Sequence, residues 1–345
     1  MSRANAAFLL ATVVATSCFG SANGACISSS LQRETISPDE TQFFSLGALE
    51  FGDVVFGITT PIEGVPFDFD TPDTQVATFF TDDVGPGDLS PFILTINDDS
   101  DADNNLDADN GNEGDSFGSL FRLEAMEDEF SVGVTGFDDD FEGTGHNESG
   151  DYLLTIGHVD PTSLGGDFAD TDGVNELMSG ADVLPLDEFD SLVSVNSLVP
   201  GAPGDVDFYR VELEAGDVFT AMTAPLGGLS DDFDDPDTLI VFMDSSGNIL
   251  FDDDQAGGPF SDLALDTFFI TDANGSAVHF LAPQTDSYFF AVTGFPDEDA
   301  VGSHDEQGAY ALLVSRARVI PEPSSAALLL LSGLGCFGVG VRCSA

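Results

Sequence analysis

The densest set of side chains able to do chemistry is the run Asn97-Asp98-Asp99-Ser100-Asp101-Ala102-Asp103-Asn104-Asn105-Leu106-Asp107-Ala108-Asp109-Asn110-Gly111. Carboxylates at alternate positions of an irregular loop can converge on one cation. Ca²⁺, which takes about six to eight oxygen ligands in a flexible geometry, is the ion that suits them. Asp98, Asp99, Asp101 and Asp103 lead this candidate set. The run is not an EF-hand: counted from Asp101, Leu106 stands where glycine is required and Asn112 where the bidentate glutamate belongs. A second acidic run, Asp252-Asp253-Asp254, follows a matching strand later in the chain, with Asp232, Asp234 and Asp237 on a neighbouring turn. A solvated acidic loop explains the same residues without metal, and both explanations stand.

Other chemistry-bearing residues are fewer. His146 and His304 recur at one position of an internal repeat, each followed two residues later by Glu148 or Glu306. Acid-base or metal chemistry would suit them, as would a turn role before a closing strand. His158 and His279 have no sequence counterpart in the other copy, and no His-Glu-x-x-His run occurs. Gly114-Asp115-Ser116-Phe117-Gly118 fits the string Gly-x-Ser-x-Gly, but a nucleophile elbow needs a strand before and a helix after. Here an acidic loop precedes Ser116 and the strand-like Leu120-Phe121-Arg122-Leu123 follows. Phosphate loops, Rossmann glycine patterns and zinc ligand sets are missing from the sequence.

Sixty-three acidic residues stand against seven basic ones, all Arg, for a net charge of −56. Such a chain repels nucleic acid and anionic lipid and draws cations. With 42% hydrophobic residues and 31 Phe, it still has the material of a packed core. Of four cysteines, Cys18 lies in the N-terminal leader, Cys336 and Cys343 in the C-terminal tail, and Cys26 at the start of the remaining chain. No disulfide is then available to the fold.

These residues are positioned by two copies of one module. Leu49-Glu50-Phe51-Gly52-Asp53-Val54 matches Leu213-Glu214-Ala215-Gly216-Asp217-Val218 at an offset of 164, which holds through Asp68 to Thr74 and Asp232 to Thr238. Val134-Thr135-Gly136-Phe137 matches Val292-Thr293-Gly294-Phe295 at an offset of 158, and His146, Glu148, Gly150 and Tyr152 match His304, Glu306, Gly308 and Tyr310. Short alternating runs such as Phe208 to Leu213, Leu239 to Met243, Tyr288 to Val292 and Tyr310 to Val314 alternate with Gly-Asp, Asn-Gly and Pro turns, and no long helical period interrupts them. The pattern predicts an all-β fold of tandem β-sandwiches. The expected boundaries are a leader at 1–24, a first sandwich at 25–159, a linker at 160–200 with one leading strand near Leu192 to Val195, a second sandwich at 201–317 and a tail at 318–345.

The second copy resembles the bacterial pre-peptidase C-terminal (PPC) domain. The resemblance rests on Gly204-Asp205-Val206-Asp207-Phe208-Tyr209, Leu213 to Asp217, Asp237-Thr238-Leu239, Asp244 to Leu250, Asp252-Asp253-Asp254, Phe280-Leu281-Ala282-Pro283 and Gly308-Ala309-Tyr310. It implies a jelly-roll-like, non-catalytic β-sandwich appended to exported proteins, some members of which bind Ca²⁺ or matrix polymers. The chain departs from the family in a longer stretch from Gln255 to Ser276. In the first copy Thr41-Gln42-Phe43-Phe44 stands where Asp205-Val206-Asp207-Phe208 would be, so the aspartates' role is not expected there.

Both termini carry export features. Arg3, the apolar stretch Ala6 to Val14 and the small residues Ala22-Asn23-Gly24 are laid out as a secretory signal peptide cut near Ala25. At the other end Pro321-Glu322-Pro323 precedes an apolar run from Ala326 to Val341 and a lone Arg342. As a helix that run covers roughly 24 Å, short of a hydrocarbon core of about 30 Å. This order resembles the PEP-CTERM sorting signal of Gram-negative bacteria. The resemblance implies a hydrophobic sorting helix with a transient inner-membrane stage, cleavage near the Pro-Glu-Pro by an exosortase, and delivery through the Sec machinery to the cell surface or extracellular matrix. The family usually ends in several basic residues, where this chain has one. An ordinary C-terminal anchor is the alternative for the tail.

The expectation is therefore an exported, non-enzymatic surface or matrix protein. A Ca²⁺-dependent module that binds polysaccharide or matrix protein is the narrower alternative, and a secreted hydrolase the distant one. Nucleic acid is excluded as a partner by charge.

Overall fold

A computed structural model describes residues 9–11, 27–63, 69, 71–81, 95–97, 103–104, 118–125, 128–137, 141, 145–162, 165–168, 175–199, 204–226, 236–253 and 275–319. Among them the structure is β throughout, apart from a 3₁₀ turn at Met178–Gly180. The first half holds β1 (Leu9–Ala11), β2 (Ser28–Ile36), β3 (Gln42–Leu49), β4 (Val54–Pro61) and β5 (Thr74–Phe80). It continues with β6 (Thr95–Asn97), β7 (Asp103–Asn104), β8 (Leu120–Glu124), β9 (Asp128–Gly136) and β10 (Gly150–Val159). The second half holds β11 (Gly165–Gly166), β12 (Asp182–Val183), β13 (Phe189–Leu198), β14 (Asp207–Leu213) and β15 (Asp217–Pro225). It closes with β16 (Thr238–Met243), β17 (Ile249–Asp253), β18 (Ala277–Leu281), β19 (Asp286–Gly294) and β20 (Gly308–Arg318).

The sequence repeat is a repeat of topology. One sheet of the first sandwich runs β1-β3-β9-β5-β6, and its counterpart in the second runs β12-β14-β19-β16-β17. The other sheets run β2-β10-β4-β8 and β13-β20-β15-β18, the latter extended by β11 at one edge and β7 at the other. The all-β tandem sandwich expected from alternation is thus the fold. Of the tail expected at 318–345, Arg318 ends β20 and Val319 is a buried core residue, so the second sandwich runs through Val319; the rest, with the expected sorting helix, lies outside the described residues.

The boundaries need one correction. The stretch 160–200, expected as a linker, contains β11, β12 and β13, and β13 pairs with β20 along its whole length, from Phe189↔Ala317 to Leu198↔Gly308. The strand expected at Leu192 to Val195 is therefore the first strand of the second sandwich, equivalent to β2. Its Leu198, Val193 and Val195 are buried core residues, which a linker could not provide.

Each sandwich closes on its own apolar core. Val55, Val76, Phe121, Val132 and Leu154 lie in the first; Phe219, Ile240, Phe242, Phe290 and Leu312 in the second. The same polar clasp joins the two sheets of each sandwich. In the first, the Thr59 and Thr74 hydroxyls lie 2.7 Å apart and the Ser119 N–H donates to Thr59 Oγ1 at 2.7 Å. In the second, Thr223 and Thr238 lie 2.6 Å apart and the Ser276 N–H donates to Thr223 Oγ1 at 2.8 Å. All six side chains are buried, where a polar group left unpaired is costly.

The two sandwiches also stack on each other. Every residue of β4 and β15 is buried, so both faces of these strands are covered. Val54, Phe56 and Ile58 of β4 pack with Met222 and Ala224 of β15 and Leu313 of β20. Leu153 and Ile62 pack with Val218, Ala317 and Val319. Between these apolar patches runs a polar strip: Thr155 and Ser315 hydroxyls at 3.1 Å, Thr60 and Thr220 at 3.1 Å, and Ser29 Oγ donating to the Ser191 carbonyl at 2.7 Å. Gly157 makes the close approach possible, since a Cβ there would lie 3.0 Å from the Phe56 ring and 3.3 Å from Leu313.

Truncating Phe56 to Ala should therefore cost about 3–5 kcal/mol and lower the unfolding midpoint of both modules together. Urea unfolding followed by hydrogen exchange in each module checks this. Loss confined to the first module would show that the stacked face does not couple them.

Candidate functional site

Of the acidic residues expected to hold a cation, Asp98, Asp99, Asp101 and Asp254 lie outside the described residues, as do Asp232, Asp234 and Ser116. Asp103 lies on β7, which leaves the first sandwich and pairs in parallel with β18 of the second, Val278 opposite Asp103 and His279 opposite Asn104. β7 also comes within 8 Å, Cα to Cα, of β17, which carries Asp252 and Asp253. β7, one piece of the first acidic run, thus lies beside the strand that carries part of the second, although the sequence places the two runs in separate modules. Asp252 and Asp253 are themselves strand residues, paired with Val241 and Ile240, not loop residues as expected. No group of three or more His, Cys, Asp or Glu side chains placed to hold a metal occurs among the described residues. Pro321, Glu322 and Pro323 also lie outside them.

His146 and His304 occupy equivalent places and make the same bond. His146 Nε2 lies 2.9 Å from the Glu40 carbonyl, and His304 Nε2 2.7 Å from that of Asp205. His304 Nε2 donates to that carbonyl, while His146 Nε2 also meets the Glu40 backbone N–H at 3.1 Å; Nδ1, without a hydrogen-bond partner among the described residues of either module, lies against Gly136 or Gly294. A Cβ on those glycines would stand 2.2 and 2.5 Å from Nδ1. Glu148 and Glu306 accept the Asp73 and Asp237 backbone N–H at 3.2 and 3.1 Å. Both imidazoles are buried, and the arrangement braces the loop before the closing strand.

The buried tyrosines correct an expectation about the first copy. Tyr310 donates to Asp207 Oδ2 at 2.6 Å, and Tyr152 donates to Gln42 Oε1 at 2.6 Å. Gln42 faces Val134 across the sheet as Asp207 faces Val292, so the two are equivalent. A register shift between Ser45 and Gly47 absorbs the residue that displaced the alignment. Gln42 thus fills in the first copy the acceptor role of Asp207. Burial first, then the nearby acids, pushes both phenols well above their ordinary range, so they remain donors.

Two further equivalences are invisible in the sequence. His158 Nε2 lies 2.8 Å from Asp53 Oδ2, where Arg316 Nε donates to Asp217 Oδ2 at 2.7 Å. Each carboxylate also accepts an N–H of its own turn, from Glu50 or Glu214. His279 and Arg122 sit at matching positions of β18 and β8, opposite Thr220 and Phe56. Both cross between the modules: Arg122 donates to the Pro225 carbonyl at 2.8 Å, while His279 Nδ1 lies 3.3 Å from Thr60 Oγ1 and 3.2 Å from Thr220 Oγ1. Phe69 covers the imidazole with ring centroids 5.4 Å apart.

Burial lowers the His279 pKa from 6.5 to about 3, so the fold stabilises its neutral form. That contribution is whole above pH 6.5 and is lost as the pH falls from 6.5 toward 3, because the unfolded chain takes up the proton first. Each unit of that window should remove about 1.4 kcal/mol. Urea unfolding of the native protein and His279→Asn at several pH values in the window tests it: the native protein should lose stability relative to the variant. Parallel profiles would refute the assignment.

No family model matches the chain, and no curated protein matches it. Among solved structures, the CUB1-EGF-CUB2 domains of human MASP-1/3 align at 8% identity over 83% of this chain and 99% of that one, with a TM-score of 0.21. The tandem CBM51 modules of Sp3GH98, the family 98 glycoside hydrolase of Streptococcus pneumoniae SP3-BS71, align at 10% identity over 82% of each chain, with a TM-score of 0.21. The CUB1-EGF-CUB2 domains of rat MASP-1 align at 10% identity over 82% and 96%, with a TM-score of 0.19. At these scores the likenesses assign neither ligand nor activity.

Proposed function

We propose that the chain is an exported, non-catalytic surface or matrix protein whose modules are PPC-like sandwiches. Its leader is removed near Ala25, and its tail is processed at Pro321-Glu322-Pro323 by an exosortase. The observation that supports a scaffold role best is the fate of the repeated polar residues. His146 and His304, Glu148 and Glu306, Tyr152 and Tyr310 are all spent on the same internal bonds in both modules. The net charge of −56 favours neutral or basic partners, with a polysaccharide or matrix protein as the class in view.

The meeting of β7 with β18 and β17 favours the Ca²⁺-dependent form of this reading. Asp98, Asp99, Asp101 and Asp103 from one module and Asp252, Asp253 and Asp254 from the other would supply the oxygens. Bound Ca²⁺ would neutralise part of that charge and tie the corner together.

Mass spectrometry of the protein recovered from its host should show an N-terminus near Ala25 and loss of the chain beyond the Pro-Glu-Pro. An intact Ser324 to Ala345 would overturn the sorting assignment. Calorimetric titration with Ca²⁺ should release heat and raise the melting temperature, and Asp103→Asn with Asp252→Asn should abolish both. A flat titration would remove the metal from the reading and leave the scaffold role standing.

A further inference from the structure

The equivalent outer sheets differ in what closes one edge. In the second sandwich that edge, β14, is covered by β12 in parallel, with Asp182 opposite Tyr209 and Val183 opposite Arg210. In the first sandwich the equivalent edge, β3, is covered by β1, also in parallel, with Leu9 opposite Gln42, Leu10 opposite Phe43 and Ala11 opposite Phe44. Phe44 and Tyr209 hold the same place in their sheets, facing Val132 and Phe290 respectively. One slot is thus filled twice. The second filler is interior to the chain, seven residues ahead of β13, whereas the first lies inside the leader.

That difference matters once the leader is cut. A chain beginning near Ala25 keeps only Ala25, Cys26 and Ile27 ahead of β2, which belongs to the opposite sheet. Facing sheets of a sandwich lie about 10 Å apart. Three residues reach at most about 10 Å and leave nothing to pair. Among the described residues no other strand then lies along β3 at Gln42 to Phe44, the arrangement that accepts an added strand.

We propose that processing opens the β3 edge at Gln42 to Phe44 as an acceptor for an extended peptide of another exported protein, uncharged or basic and laid in parallel. This rests on leader cleavage as proposed above. The chemistry of the occupant follows from two facts. The segment seated there, Leu9-Leu10-Ala11, is uncharged and apolar. A second copy of this chain would bring another −56 charges to the contact, which disfavours self-pairing. β14 takes no such partner, because β12 already occupies its edge.

The probe is a synthetic peptide spanning Asn5 to Val14, added to the processed protein and to an uncleaved precursor carrying residues 1–24. Hydrogen exchange should slow at least tenfold at Gln42 to Ser45 in the processed protein and stay unchanged in β14 and in the precursor. The same peptide N-methylated on alternate amides, or bearing Leu9→Asp and Leu10→Asp, should lose the effect. Equal protection in precursor and processed protein, or none in either, would overturn the proposal, as would a concentration-dependent dimer that protects β3 without peptide. The N-terminal mass of the processed protein separates the two ideas: a retained leader sinks the cleavage reading and the open slot, whereas a removed leader with no peptide effect sinks the slot alone.

Discussion

The constraint on which the rest depends is the burial of two sheet faces that an isolated sandwich would turn to water. An ordinary antiparallel sheet of this kind is apolar on one side and polar on the other. Here β4, β15 and β20 are buried on both sides, with apolar residues on each, and have to be covered on both. Stacking the sandwiches satisfies this in a chain with almost no cations. It also explains why the few basic residues are placed as they are. Arg122 crosses the contact, while Arg316 and Arg318 neutralise Asp217, a carboxylate with no solvent exposure of its own. With a surface so uniformly acidic, the interior is where opposite charge can be used to most effect.

Much of this was legible in the residues. Alternation and turn chemistry gave strands such as Phe208 to Leu213 and Tyr310 to Val314, and the two offsets located the repeat because strands and their turns resist insertion while acidic loops tolerate it. The start of the second sandwich was missed because Pro161 to Pro203 is rich in Gly and Pro, and a strand edged by such residues shows little periodicity. The signal for β13 was present in Leu192, Val193 and Val195, but its strand partner β20 is more than a hundred residues away, and Val193 and Val195 are buried in the cluster that contains Val54 and Phe56 of the first sandwich.

The polar sites were legible in kind and not in partnership. Spacing singled out His146 and His304, yet only the carbonyls of Glu40 and Asp205, about a hundred residues upstream, decide that they brace loops. Gln42 was hidden as the counterpart of Asp207 by a one-residue register shift in β3 that an ungapped comparison cannot represent. His158 with Arg316, and Arg122 with His279, are matched by place and not by residue type. Self-comparison of letters has no means of pairing them. The approach of β7 to β17 depends on β7 crossing to the other module, a topological fact with no local signature.

The crossing of Arg122 one way and His279 the other has a consequence of its own. Each module reaches from its β8-type strand to the β4-type strand of the other: Arg122 to Pro225 at the end of β15, and His279 to Thr60 near the end of β4. That reciprocity is how two identical subunits meet across a two-fold axis. The chain is organised like a homodimer whose halves have been joined by one backbone. Joining them fixes their stoichiometry at any dilution and frees the two halves to diverge, so that an imidazole and a guanidinium now perform the same crossing.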